Sequence, residues 1–321
     1  MNEKSTREAA IAALIELAEA DTRVVLVSAD SVMAARALPF IRRFPDRLYE
    51  LGIAEQDAVA FAAGLASTGL IPYVITYAGF LTMRACEQLR TFVAYPGLKV
   101  RLIGLNGGVL GGEREGVTHQ FFEDLGIVRT IAGITVVAPA DANQTYRLMK
   151  EIADVDGPVY LRLGSGHEPE VYPPETAARL GMINVVRDYG RDVALFSSGF
   201  VLNRAIEAAE ALERAGIHAV LADVHTLKPL DEASVTAMLL ETGAAVTVED
   251  HNVIGGLGSA ICELACQEAP AKVTRIGLKD LYPRSGNAGA LLDHYGISAA
   301  AIVQAAQTLV EEKRRASRDA C

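Results

Sequence analysis

The chain has 321 residues, 50% of them apolar and 22% charged, with a formal net charge of −10. This is a globular composition, long enough for two α/β domains with a core each. The acidic balance excludes a nucleic-acid binder built on clustered Lys and Arg; the one basic run, Lys313-Arg314-Arg315, reads as a solvated helix end. No stretch approaches the roughly 18 apolar residues of a membrane span, and the N-terminus lacks a signal-peptide pattern. Four irregularly spaced cysteines, Cys86, Cys262, Cys266 and Cys321, fit a reduced, cytoplasmic protein. Cys262 and Cys266 could share a helix face, but no second pair completes a metal site, so no metal ligands are expected.

In chain order, Ser5 or Thr6 is placed to cap a helix over 7–20, in which Ala10, Leu14 and Leu17 keep helical spacing. The continuous apolar run Val24-Val25-Leu26-Val27 reads as a buried parallel strand. A small-residue helix over 57–70 offers Ala and Gly surfaces to a partner helix. Pro72 starts a strand to about Ile75, residues 81–94 are helical, and 100–104 form a strand. The glycine-rich stretch 106–116 must be a loop. A strand over 134–137 leads to Asp141, placed to cap a helix over 142–152, and 159–162 is the last strand of this half. Pro169, Pro173 and Pro174 mark a linker, 169–182, between a domain at 1–168 and another at 183–321. The second half alternates strands at 193–196, 219–224, 245–248 and 272–276 with helices at 202–215, 231–241, 259–269 and 298–315. This order predicts α/β architecture, two doubly wound domains with parallel sheets, the second smaller.

The segments Gly52-Ile53-Ala54-Glu55-Gln56, Ile71-Pro72-Tyr73, Thr76-Tyr77, Phe80, Gly116-Val117-Thr118-His119-Gln120 and Pro139-Ala140-Asp141-Ala142-Asn143 resemble the pyrimidine-binding domain of the transketolase family. Leu227-Lys228-Pro229-Leu230-Asp231, Val248-Glu249-Asp250-His251 and Gly255-Gly256-Leu257-Gly258-Ser259 resemble the C-terminal domain of that family. The family's diphosphate- and metal-binding mark, Gly-Asp-Gly followed by a later Asn, is missing; Asp156-Gly157-Pro158 is the nearest string. The chain therefore resembles the C-terminal subunit of a split transketolase.

That resemblance implies thiamine diphosphate as cofactor, with Mg2+ held mainly by an N-terminal partner subunit in a heterotetramer. It implies transfer of a two-carbon ketol unit from a ketose or ketose phosphate to an aldose. Glu55 falls on the carboxyl group that engages the pyrimidine ring nitrogen and helps the cofactor lose its thiazolium proton; burial beside apolar rings would strengthen its hold on a proton. Tyr77 and Phe80 fall on aromatics that pack against the pyrimidine, and Asp30 on an aspartate near the cofactor and the subunit interface. His119 falls on a histidine facing the substrate's reacting carbons. Glu115 stands where the family usually has Asp. Arg162 and Arg7 fall on arginines that face the substrate's phosphate, and Gly107 lies in the place of a further family histidine. The glycine turn at 255–258 lacks a P-loop lysine and reads as structural, as does His251.

Two other readings remain open. One is the beta subunit of a 2-oxo acid or acetoin dehydrogenase, which shares the fold and a matching Glu. The other is a non-catalytic scaffold partner. The sugar itself stays open between xylulose 5-phosphate, a branched sugar phosphate and a sulfo-sugar.

Overall fold

The computed structural model describes residues 3–109, 111 and 115–319; Cys321 lies outside them. The first half runs β1 (Glu3–Lys4), α1 (Thr6–Ala20), β2 (Val24–Ser28), α2 (Leu38–Arg43), β3 (Leu48–Glu50), α3 (Glu55–Ser67), β4 (Ile71–Tyr77), α4 (Cys86–Gln88), β5 (Arg101–Leu105), α5 (Asp124–Thr130), β6 (Thr135–Val137), α6 (Ala142–Glu151), β7 (Val159–Arg162) and β8 (Glu168–Pro169). The second runs β9 (Asn184–Asp188), β10 (Val193–Ser198), α7 (Leu202–Arg214), β11 (Ala219–Asp223), β12 (Thr226–Lys228), α8 (Glu232–Thr242), β13 (Ala244–Asn252), α9 (Leu257–Gln267), β14 (Lys272–Leu278), α10 (Ala288–His294) and α11 (Ala299–Asp319).

The expected caps form. Ser5 Oγ accepts from the Glu8 backbone N–H at 3.1 Å, and Asp141 Oδ1 from that of Gln144 at 2.8 Å, each satisfying a helix-end donor. The apolar runs become strands buried on both faces: every residue of β2, β5 and β7 is buried, as helices on both sides of a parallel sheet require.

The first sheet has the order β12-β6-β7-β5-β4-β2-β3 and the second β14-β13-β10-β11-β9. Both are parallel apart from one antiparallel edge each, β12 on β6 and β9 on β11. β12 belongs to the second half by sequence, so that half donates a strand to the first sheet. One apolar cluster spans both, joining Ala58, Leu102 and Val136 to Phe196, Val220 and Leu257.

β3, β9 and β12 are short or at sheet edges, and no apolar pattern announces them. The helix expected over 81–94 is also different: its segments Phe80–Arg84 and Leu89–Ala94 are π-helical, a wider turn often found at functional sites.

A buried polar contact ties the halves together. Asp223, at the end of β11, accepts through Oδ2 from Gln144 Nε2 of α6 at 2.6 Å and from the Tyr172 hydroxyl of the linker at 2.8 Å. Full burial pushes this carboxyl up to about 7 from its ordinary 3.8. Between those values the folded protein keeps a proton that the unfolded chain releases, so this group's contribution to stability falls as pH rises, by up to about 1.4 kcal/mol per pH unit. His225, buried nearby in sequence and lowered to about 4 by burial, acts with the opposite sign between about 4 and 6.5. The two slopes nearly cancel in the native protein. Asp223→Asn removes one of them, so its stability relative to wild type is expected to increase as pH rises from 5 to 7, read from urea melts at each pH. A difference independent of pH would mean that Asp223 is ionised in the fold throughout.

Candidate active site

The carboxyl ends of β2, β4, β5 and β7 lie along one edge of the first sheet, where open α/β sheets place their ligands. Glu50 accepts from the backbone N–H groups of Asp30 at 2.7 Å and Gly52 at 3.0 Å. Gly52 takes φ = 70°, a left-handed conformation that suits glycine. The chain turns there and enters α3 with Glu55 as its first helical residue.

Glu55 is only 2% exposed. Its Oε2 accepts from Arg84 Nη1 at 2.6 Å. The Arg84 guanidinium carbon stands 4.1 Å from the centre of the Phe80 ring. Phe80 in turn meets the His119 ring edge-on at 5.2 Å, and His119 meets Tyr77 edge-on at 5.1 Å, both T-shaped pairs. His119 Nδ1 is 3.0 Å from Thr118 Oγ1. Two aromatic rings and an imidazole, brought from β4, the π-helical turn after it and the 116–120 turn, are thus contiguous, and Arg84 links them to the Glu55 carboxylate at the start of α3. A buried carboxylate beside flat apolar faces suits a planar nitrogen heterocycle. An imidazole one ring away can hold or move a proton on a molecule bound over it.

Behind Tyr77 lies a polar cavity of about 200 Å³, lined by Arg7, Tyr77, Asn106, Glu115 and His167 among others. Arg7 donates to the carbonyls of Gly164 at 2.9 Å and Ala34 at 2.7 Å, and to Asn106 Oδ1. Burial pulls its guanidinium below the ordinary arginine range, with Glu168, Tyr77 and Glu115 acting against that. Asp30 is exposed, in a left-handed turn with φ = 50° at the end of β2; the structure does not bring its side chain into either cluster. A larger cavity of about 660 Å³, beside Arg129, Lys228 and Glu263, shares no residue with these groups.

Arg162 is a correction. It is expected from the motif to face a substrate anion, but it is 1% exposed and committed to the interior. Its Nε and Nη2 each reach an Asp124 carboxylate oxygen at 3.0 Å, and Nη2 also donates to the carbonyls of Phe121 and Asp250 at 3.0 Å. It joins the turn carrying His119 to the second half. Gly107 corrects a related expectation: a Cβ there would lie 2.2 Å from Arg162 Nε. The missing histidine could not be restored at that position without displacing the ion pair.

The glycine turn at 255–258 is capped by a carboxyl group of the chain's own. Glu249 accepts from the backbone N–H groups of Leu257 at 2.7 Å and Gly258 at 2.8 Å, occupying the α9 N-terminus that a phosphate would need. His251 accepts from the Gly126 backbone through Nε2 at 3.1 Å and is structural. Among the described residues, no three His, Cys, Asp or Glu stand together as a metal site.

Sequence reasoning misses two residues of the site. Arg84 lies four positions after Phe80, a spacing that puts side chains on one helical face. His167 stands next to the linker prolines, which mask it, although it follows β7 at the sheet's carboxyl edge.

The model of the transketolase pyrimidine-binding domain matches residues 2–167, and that of the transketolase C-terminal domain residues 181–302. The chain belongs to the transketolase family. It is 36% identical to the 6-deoxy-6-sulfo-D-fructose transketolase subunit of Clostridium sp. strain MSTE9, over 98% of this chain and 97% of that protein. It is 35% identical to an apulose-4-phosphate transketolase subunit of Phocaeicola vulgatus, over 93% and 95%. A solved split-gene transketolase, described as an inactive beta4 tetramer, superposes with a TM-score of 0.89 at 38% identity, covering 96% of this chain and 99% of that one. The chain is a transketolase subunit of the two-chain kind, and the dehydrogenase and scaffold readings are not favoured.

Proposed function

We propose that this chain supplies the pyrimidine half of a thiamine diphosphate site, completed by an N-terminal partner subunit. The observation that carries the reading is the chain of contacts from the buried Glu55 carboxylate through Arg84 to the Phe80 face and on to the His119 ring. These groups fit an aminopyrimidine. The bound cofactor would supply the carbon that accepts and passes on a two-carbon ketol unit. Glu55 holds the pyrimidine ring nitrogen and Phe80 and Tyr77 orient the ring. His119 exchanges protons with the hydroxyls of the ketose. Mg2+ and the diphosphate are assigned to the partner, because these 321 residues contain no Gly-Asp-Gly. Asp30, exposed at the same sheet edge, is assigned to the cofactor's flank at the subunit boundary. Two copies of each chain would form the enzyme, in the cytoplasm, where the free thiols of Cys86, Cys262 and Cys266 are stable. The domains are taken as 1–168 and 183–321.

The cavity behind Tyr77 is assigned to the far end of the donor. Arg7 and His167 suit an anionic tail and Glu115 a hydroxyl. The substrates named for the two relatives both carry an anionic group, a sulfonate and a phosphate, which supports that assignment. The test is an assay of the reconstituted pair on ketoses with a phosphate, a sulfonate or no anionic tail. The expected result is a higher kcat/KM for the anionic ketoses. Equal use of neutral ketoses would remove the tail assignment.

Tyr77 offers a second check. It touches both His119 and Phe80, and an aromatic contact of this kind contributes about 0.5–1.5 kcal/mol. Tyr77→Ala is therefore expected to raise the cofactor concentration for half-saturation by up to roughly tenfold, with a smaller change in saturated turnover. An unchanged cofactor titration would leave Tyr77 a packing residue only.

A further inference from the structure

Arg84 makes two contacts with one flat group. Its Nη1 donates to Glu55 Oε2 at 2.6 Å, while its guanidinium carbon sits 4.1 Å over the centre of Phe80. A guanidinium is planar, delocalised and edged with nitrogen. An aminopyrimidine is likewise flat and nitrogen-edged, and with a proton shared between its ring nitrogen and the carboxyl group it would use the same two partners, an aromatic face below and Glu55 at its edge. The two groups cannot both occupy that face of Phe80 and that carboxylate oxygen.

Local structure places the arginine there. The π-helical stretch Phe80–Arg84 is a wider turn than an α-helix, and it lays Arg84 back over the ring four residues earlier. The guanidinium also has somewhere to go. Its side chain is 44% exposed, and it borders a cavity of about 460 Å³ lined by Met83, Val117, Phe121 and Tyr282 among others.

We propose that Arg84 is a place-holder for the cofactor's aminopyrimidine. In the free chain it neutralises Glu55 and covers Phe80, and it gives up both contacts when the cofactor enters, anchored at its other end by the partner subunit. The inference rests on the cofactor reading above. Its physical basis is the cost of a buried carboxylate with no cation beside it. The free subunit meets that need with its own arginine, and the loaded site would meet it with a proton shared between the carboxyl group and the ring nitrogen. The pyrimidine must compete with Arg84, so the chain resists loading until the partner adds the binding energy of the diphosphate.

The test is direct binding of thiamine diphosphate, by equilibrium dialysis with Mg2+, to the pair reconstituted with wild-type chain, Arg84→Met or Arg84→Gln. Removing the competitor should tighten binding at least tenfold for Arg84→Met, with Arg84→Gln in between. If Arg84→Met fails to fold, Arg84→Gln decides by the same comparison. Binding equal to or weaker than wild type in the folded variants would overturn the proposal, and weaker binding would mean that Arg84 stays in the loaded site and steadies Glu55. Failure of the wild-type pair to bind the cofactor would instead bring down the cofactor reading, and this inference with it.

Discussion

Glu55→Gln is expected to reduce turnover of the reconstituted enzyme by about 10²–10⁴-fold, the range for loss of a positioned acid–base group, while fold and assembly survive. The substitution keeps the size of the side chain, and its amide oxygen can still accept from Arg84, so the start of α3 should not move. What is lost is the carboxyl that shares a proton with the ring it faces. Partner binding, followed by gel filtration, and helix content, followed by circular dichroism, should match wild type. Turnover within twofold of wild type would remove Glu55 from the chemistry.

Arg162→Met is expected to lower stability by about 3–5 kcal/mol, the usual cost of breaking a buried pair from one side. Arg162 and Asp124 are 1% and 0% exposed, so the substitution leaves a carboxylate in the interior with no cation. Asp124 would keep the Tyr160 hydroxyl, 2.6 Å away, but that is a neutral donor. The carbonyls of Phe121 and Asp250 would lose their shared donor, loosening the turn that carries His119. Replacing both partners, Arg162→Met with Asp124→Leu, should recover part of the loss, because neither charge is then stranded. Denaturant melts of the two single variants and the double variant measure this. An Arg162→Met chain of native stability with a raised KM for anionic donors alone would restore the substrate role that the motif implies for Arg162.

The contrast between Glu55 and Arg162 shows what sequence can and cannot say. Both are reached through motif resemblance, and both lie at the sheet edge where the motif puts them. A motif does not say which neighbours a side chain has. The partner of Arg162 is Asp124, 38 residues away in sequence, and no local pattern pairs the two. The buried strands are legible because continuous apolar runs have few other uses. β12 is not, because three residues pairing at a sheet edge follow from tertiary contact and not from their own periodicity. The π-turns at Phe80–Arg84 and Leu89–Ala94 keep a nearly helical pattern of apolar residues, so the stretch reads as an ordinary helix and Arg84 does not stand out. Gly107 reads as a lost histidine. In the structure it is room for the Arg162 side chain.

The central claim is that this chain carries half of a cofactor site. Equilibrium binding of thiamine diphosphate in the presence of Mg2+ tests it most directly, measured on the purified chain and on the chain mixed with its N-terminal partner subunit. Little or no binding is expected from the chain alone, saturable binding from the pair, and ketol transfer only where binding is seen. Tight binding and robust transfer by the purified chain without a partner would contradict it.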